Sequence, residues 1–286
     1  MNKVSLKGVN TKRFMNLIKR SSSMDNLIFI TLRGNQFEST AYNKNKSALK
    51  SVYADLEVMC EEFTNENDEA VKIQFSNANK VIQVLQLVGS ENVDIVFDID
   101  DNNYAKKALF KNAETKINVS CADKEAVDFL EIPDAARHSI FEDSSKLLYS
   151  INVSDNEFKY MSSLFGLNKD AVRVFFNLVN GEVFVSEIES TDENVRQAVN
   201  EIIQNADYDK FDAFEKLYSK KLTISDYNNV AGIEKYLGCF NKSYFAWIDN
   251  DSNYTFEYHT NKIKIVSFDE ESGIKTYVVL TPVRFA

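Results

Sequence analysis

Apolar residues along this chain follow two periods, and the periods take turns. Alternation over Val4–Val9 predicts a strand, after which Phe14, Leu17 and Ile18 adopt the three-and-four spacing of a helix over Thr11–Arg20. The same change recurs at Leu147–Val153 and in Phe158, Met161 and Phe165 of Asp155–Phe165. Asn10 or Thr11, and Ser154 or Asp155, are suitable helix N-caps. Alternating runs at 27–33, 36–42, 172–179 and 182–188 predict further strands, the last two joined by the two-residue hairpin signal Asn180-Gly181. A second helix is expected in each half, at Asn77–Val88 and at Asn228–Cys239.

These elements fall into a repeat. Val9, Phe14 and Leu17 correspond to Val153, Phe158 and Met161. Val81, Val84 and Val88 match Val230, Ile233 and Leu237, and VFDIDDNNY (96–104) matches AWIDNDSNY (246–254). Few helices among many meandering strands, twice over, predict an α+β fold of two duplicated domains with antiparallel sheets, each with two helices. The boundary is expected within Asp128–Asp143, a connector containing Pro133, giving domains 1–134 and 135–286. Residues 192–218 have helical periodicity without a partner in the first half and read as an insertion.

Composition narrows the function classes. The chain has 286 residues, 44% of them hydrophobic and 27% charged, an ordinary globular mix. No apolar run approaches a membrane span, so no membrane association is expected. Cys60, Cys121 and Cys239 form no CxxC pair and read as buried reduced thiols, which fits a cytoplasmic location, the host's if the protein is viral. Only two histidines, His138 and His259, are present, and GxxxxGK[ST], GxGxxG and GxSxG are all missing from the sequence, so neither catalysis nor a cofactor is expected. DIDDN (98–102) and DNDSN (249–253) lack the glycine and the closing glutamate of a calcium loop and read as equivalent turns, not metal sites.

Charge is uneven. The net charge is −10, yet the first 24 residues hold six basic groups and no acidic one, while 55–69 holds seven acidic groups and no basic one. With Phe14, Leu17 and Ile18 facing a core, the first helix presents Lys12, Arg13, Asn16, Lys19 and Arg20. The second presents Asn79, Lys80, Gln83 and Gln86, and the other half offers Lys159 and Lys235. Cations and amides without an aromatic platform suit phosphate contact with no base readout.

On these residues the chain resembles a DNA polymerase sliding clamp of the two-domain type found in tailed phages, archaea and eukaryotes. VSLKGVNTKRFMNLIKR resembles a clamp's first strand and inner helix, SNANKVIQVLQLVGSENVDIVFD its second inner helix and following strand, and IEKYLGCF the second-domain counterpart. YVVLTPVRFA resembles the final strand and proline-containing tail. The resemblance implies a non-catalytic processivity factor for DNA replication that encircles double-stranded DNA without sequence preference. It also implies a ring closed head-to-tail as a homotrimer, a DNA polymerase held at an apolar pocket (Ile132, Pro133, Ile140, Phe141, Pro282) and an ATP-dependent clamp loader. Departures are Gln83 where a basic residue is common, Lys159 alone on its helix, and the 192–218 insertion. Size and an asparagine- and lysine-rich composition fit a phage origin. The alternatives are a non-enzymatic phage structural or interaction protein with duplicated β-rich domains, and a metal-dependent nuclease built on Asp98–Asp101.

Overall fold

The computed structural model describes residues 2–22, 26–43, 47–65, 69–126, 131–167, 171–179, 181–188, 197–198, 201–202, 205, 210, 217–224, 226–249, 251 and 253–283. Two compact units divide the chain: Met1–Ile140 with Phe268–Tyr277, and Phe141–Ser267 with Val278–Ala286. The segment 268–277, late in the chain, thus folds with the first unit. Most of the predicted insertion at 192–218 lies outside the described residues.

In unit 1 the strands are β1 (Asn2–Asn10), β2 (Ile28–Arg33), β3 (Gln36–Tyr42), β4 (Ala48–Asp55), β5 (Glu62–Asn65), β6 (Val71–Phe75), β7 (Asn92–Ile99), β8 (Ala105–Lys111) and β9 (Lys116–Ser120). The helices are α1 (Thr11–Ser21), the single turn α2 (Leu56–Met59), α3 (Ala78–Val88) and the short α4 (Asp134–Arg137). One sheet runs β5-β1-β7-β8-β9, and a second set runs β6-β2-β3-β4. The part of the last strand that folds with this unit lies beside β4.

Both helices form where the sequence places them. The Asn10 side chain accepts from the Arg13 amide (3.0 Å) and that of Asn77 from the Lys80 amide (3.0 Å), which satisfies amides the helix itself leaves without partners. Lys19 and Arg20 complement the dipole in the last turn of α1, and Gly89, at φ +66°, ends α3 in a left-handed cap. A register shift between Leu6 and Val9, with Gly8 at φ +60°, puts a bulge in β1 just before α1. Phe14, Leu17 and Ile18 then pack with Val81, Leu85 and Val88 and with the alternate residues Val4, Leu6, Ile95 and Phe97 in one apolar core. Full burial of such side chains contributes roughly 1.5–3 kcal/mol each.

Unit 2 contains β10 (Leu147–Ser154), α5 (Asp155–Leu167), β11 (Arg173–Val179), β12 (Glu182–Ile188), β13 (Leu217–Lys221), β14 (Asp226–Asn228), β15 (Lys235–Asn241), a 3-10 helix (Lys242–Trp247), β16 (Asn253–His259), and the parts of β17 (Ile263–Asp269) and β18 (Ile274–Leu280) that lie outside 268–277. The orders β14-β10-β16-β17-β18 and β13-β12-β11-β15 repeat, strand for strand, those of unit 1. The core here is aromatic: Phe158 stacks on Tyr254 and Tyr149 on Tyr258, each with ring centres 4.2 Å apart. β11 and β12 pair antiparallel with Val179 opposite Glu182, and Gly181 takes φ +83°; Asn180 of the expected turn lies outside the described residues.

The repeat in sequence is misaligned in its second part. The helix expected at Asn228–Cys239 is absent: the stretch holds the end of β14, a turn with Gly232 at φ +64°, and most of β15. Val230, Ile233 and Leu237 have helical spacing, but Val230 is exposed, and the run Lys235–Asn241 pairs with β11. Topology makes β15 the counterpart of β6 and the 3-10 helix the counterpart of α3. That 3-10 helix is also capped by an asparagine, Asn241, which accepts from the Ser243 amide. The two aspartate-rich stretches are likewise not equivalent, since 98–102 runs off the end of β7 whereas 249–253 leads into β16, the match of β7. Residues 189–216 separate β12 from β13, a longer connection than the one between β3 and β4, and this lengthens the offset between the halves; Leu217 and Tyr218 of the expected insertion belong to β13.

Candidate nucleic-acid interface

α1 and α3 lie side by side in unit 1, and the turn 269–272 comes up against α1. Together they wall a groove of about 690 Å³ whose lining includes Lys12, Arg13, Asn16, Lys19 and Gln86, together with Asp269, Glu271 and Glu91. Lys12 and Lys19 are exposed, as are Asn79, Lys80 and Gln83 along α3. The groove includes Gln86 but neither Lys80 nor Gln83.

Two of the arginines do other work. Arg13 donates from Nη1 to the Val58 carbonyl (2.8 Å), tying α1 to the acidic 55–69 segment, which also meets β1 through Lys7 and Glu62 (2.9 Å). The acidic run is therefore not segregated from the basic one. Arg20, expected on the exposed face, is only 6% exposed, and its Nη2 lies 2.9 Å from Asp269 Oδ2. Its position follows Phe14, Leu17 and Ile18 around the helix closely enough to be covered, and a buried guanidinium requires a carboxylate. Asn16 donates to the same oxygen at 3.2 Å, and Lys12 Nζ lies 3.2 Å from Glu271 Oε1 with both side chains 84% exposed. Asp269 and Glu271 are thus site residues that the sequence did not reveal, because 249 positions separate Arg20 from Asp269.

Burial raises the Asp269 carboxyl, but the Ser272 hydroxyl and Arg20 outweigh it and hold the pKa below the usual 3.8. A depressed folded pKa stabilises the fold above 3.8, and that contribution is lost as pH falls through the lower folded value. Asp269→Asn should therefore unfold at lower urea than the natural protein at pH 7, by about 3 kcal/mol, the low end for removing one partner of a buried pair. The gap should begin to narrow as pH falls to about 3.8 and close only below the lower folded value. A gap that stays constant with pH would show the ion pair to be irrelevant.

In unit 2, Lys159 is exposed and lies 2.5 Å from Asp155, one turn before it. Tyr160 beside it is also exposed, contrary to the expectation of no aromatic on this surface, and Lys220 of β13 sits 4.9 Å from its ring centre. Lys220 also pairs with Glu157 at 3.2 Å. The Lys220-Lys221 doublet was the signal that could have drawn attention to it. Lys235 opens β15 opposite Val179 and is exposed, on a strand and not on the expected helix.

The five apolar pocket residues fall in both units. In unit 1, Ile132 and Ile140 are half-buried and Pro133 is exposed; in unit 2, Phe141 is buried and Pro282 is half-buried. Around Ile132 the cavity is only about 40 Å³, walled by charged groups that include the Arg137–Glu38 ion pair. Lys72 is 2.6 Å from Glu131 there, and burial lowers its pKa less than Glu131 and Tyr104 raise it. In unit 2 the Lys264 ammonium donates to the Phe141 carbonyl at 3.0 Å, and the Val283 amide donates to the Cys239 carbonyl, fixing the tail that carries Pro282.

The remaining candidates are structural. Asp100 Oδ1 accepts from the amides of Asn102 and Tyr104 (2.9 Å each), which makes the aspartate cluster a hydrogen-bonded turn. Cys60 and Cys239 are buried and Cys121 half-buried; burial pushes the thiols of Cys121 and Cys239 up to about 12. Among the described residues no helix is long and apolar enough to cross a membrane.

Solved structures decide the fold. The archaeal clamp PCNA of A. fulgidus, solved with the C-terminal region of FEN-1 bound, superposes over the whole of both chains with a TM-score of 0.65 at 13% identity. PCNA from Thermococcus kodakaraensis covers 98% of this chain and 100% of its own, with TM-score 0.65 and 11% identity. The proliferating cell nuclear antigen of Entamoeba histolytica covers 99% and 100%, with TM-score 0.66 and 11% identity. This is the fold of a sliding clamp. No protein-family model and no curated protein matches the sequence. A clamp fold at such low identity is carried by the pattern of buried positions, while the surface chemistry is this chain's own.

Proposed function

We propose that this protein is a DNA sliding clamp, a non-catalytic processivity factor that encircles duplex DNA and tethers a replicative polymerase. The observation that carries this reading is the exposed row Lys12, Lys19 and Lys80 on two adjacent helices of a clamp-type unit, in a chain whose net charge is −10. Acid elsewhere on the protein repels DNA, and a few mobile lysines attract phosphates without reading bases. Lys159 and Lys220 extend the cationic surface in the second domain, more weakly because Asp155 and Glu157 share their charges, and Lys235 on β15 is a further candidate.

Closure of the ring follows from strand bookkeeping. The two units match strand for strand, so β13 corresponds to β4 and β9 to β18. Among the described residues β9 and β13 each end a sheet. Pairing β9 of one copy with β13 of the next, head to tail, would satisfy both edges. Three copies supply the six domains of a ring.

A partner segment would dock along the connector, with Ile132, Pro133, Ile140, Phe141 and Pro282 as the candidate contacts. The A. fulgidus clamp, bound to the C-terminal region of FEN-1, supports a chain terminus as the kind of partner involved. An ATP-dependent loader would open the ring.

Retention on DNA of different topology tests the reading. Loaded on a nicked circle, the protein should stay bound through gel filtration and leave once the circle is cut at one site. Equal retention on circular and linear DNA would exclude encirclement.

A further inference from the structure

We propose that the turn at 269–272 is a built-in competitor for the anion bound by α1, with Glu271 limiting how firmly Lys12 holds a DNA phosphate. The proposal rests on the DNA-binding reading above. Asp269 and Glu271 each place a carboxylate oxygen at hydrogen-bond distance from donors on the polar face of α1, where a phosphate oxygen would also sit. Their roles differ because their anchoring differs. Asp269 also accepts from the Ser272 hydroxyl (2.6 Å) and from the Glu271 amide (3.1 Å), so it is fixed in the turn and holds the buried Arg20. Glu271 makes its one described side-chain contact with Lys12, and both side chains are largely in water. That pair opens readily.

A phosphate approaching Lys12 therefore displaces Glu271 and then stays beside its charge. The attraction is reduced at the one groove lysine that an acid already holds, while Lys19 keeps its full effect. Weak, interchangeable phosphate contacts are what movement along a duplex requires, and Glu271 is a positioning residue for that purpose.

Binding of a short blunt duplex, followed by fluorescence anisotropy from ~50 to ~200 mM KCl, measures the competition. Glu271→Gln should raise affinity about threefold to tenfold at the lowest salt and steepen the log–log salt dependence by about 0.9, the equivalent of one more phosphate contact. Glu271→Asp should restore most of the natural behaviour. In a Lys12→Ala background, Glu271→Gln should change little. An unchanged affinity and slope for Glu271→Gln would overturn the proposal, as would an equal gain with Lys12 absent, which would mark a general charge effect. If the natural protein stays on circles yet Glu271→Gln has no effect, only this inference fails. If the natural protein shows no preference for circles, the clamp reading and this inference fail together.

Discussion

Reversing Lys12, Lys19 and Lys80 to glutamate should cut retention on closed circular DNA by about a hundredfold at ~0.1 M salt while the assembly keeps its mass. All three side chains are exposed, so the change adds no buried charge and the cores of both units stay intact. Each reversal removes a cation near the phosphates and adds a repelling charge, and the loss should grow as salt falls because screening then weakens. Arg13 and Arg20 are left in place deliberately. Arg13 holds the Val58 carbonyl and Arg20 the Asp269 carboxylate, so their removal would confuse folding with binding. The readouts are co-elution with a nicked circle and light-scattering mass. Undiminished retention by the triple variant would remove the α1–α3 face from the DNA contact.

The second large effect concerns assembly. If the ring closes as proposed, Asn118→Pro should convert the proposed trimer into folded monomers at micromolar concentration, raising the dissociation constant roughly tenfold to a hundredfold. The amide of Cys121 donates to the Lys106 carbonyl at 3.0 Å, and direction alternates along an antiparallel strand. The amides of Ile117 and Val119 therefore face β8, and that of Asn118 faces away from it, toward the free side of β9. Proline there takes the outward donor and blocks an approaching strand without breaking the β8–β9 ladder. Circular dichroism should be unchanged. A variant that keeps the natural mass on dilution would exclude β9 as the closing edge.

The elements that proved legible share one property: local chemistry and burial point the same way. In α1, the Asn10 cap, the Phe14–Leu17–Ile18 spacing and the terminal cations all specify a helix, and one forms. At 228–239 they disagree. Val230, Ile233 and Leu237 imitate a helical stripe, but Gly232 takes a left-handed turn, and the mostly apolar run after Lys235 pairs as a strand beside β11. Pairing with a long-range neighbour overrode local periodicity, as it often does for short apolar runs. Misaligning that stretch displaced the aspartate-rich turns in the repeat as well.

What the chain's own order of residues determined is the duplicated strand–helix plan, the antiparallel α+β class and the gathering of cations on the first helix. These are local or periodic, so neighbours a few positions apart record them. Tertiary structure alone decided that Arg20 is buried, that Asp269 and Glu271 reach back across the length of the chain to that helix, and that Lys235 stands on a strand. Among the described residues it also left β9 and β13 as sheet edges. Each of these depends on which distant backbone comes alongside, and a carboxylate some 250 positions away leaves no trace in the spacing around the cation it neutralises.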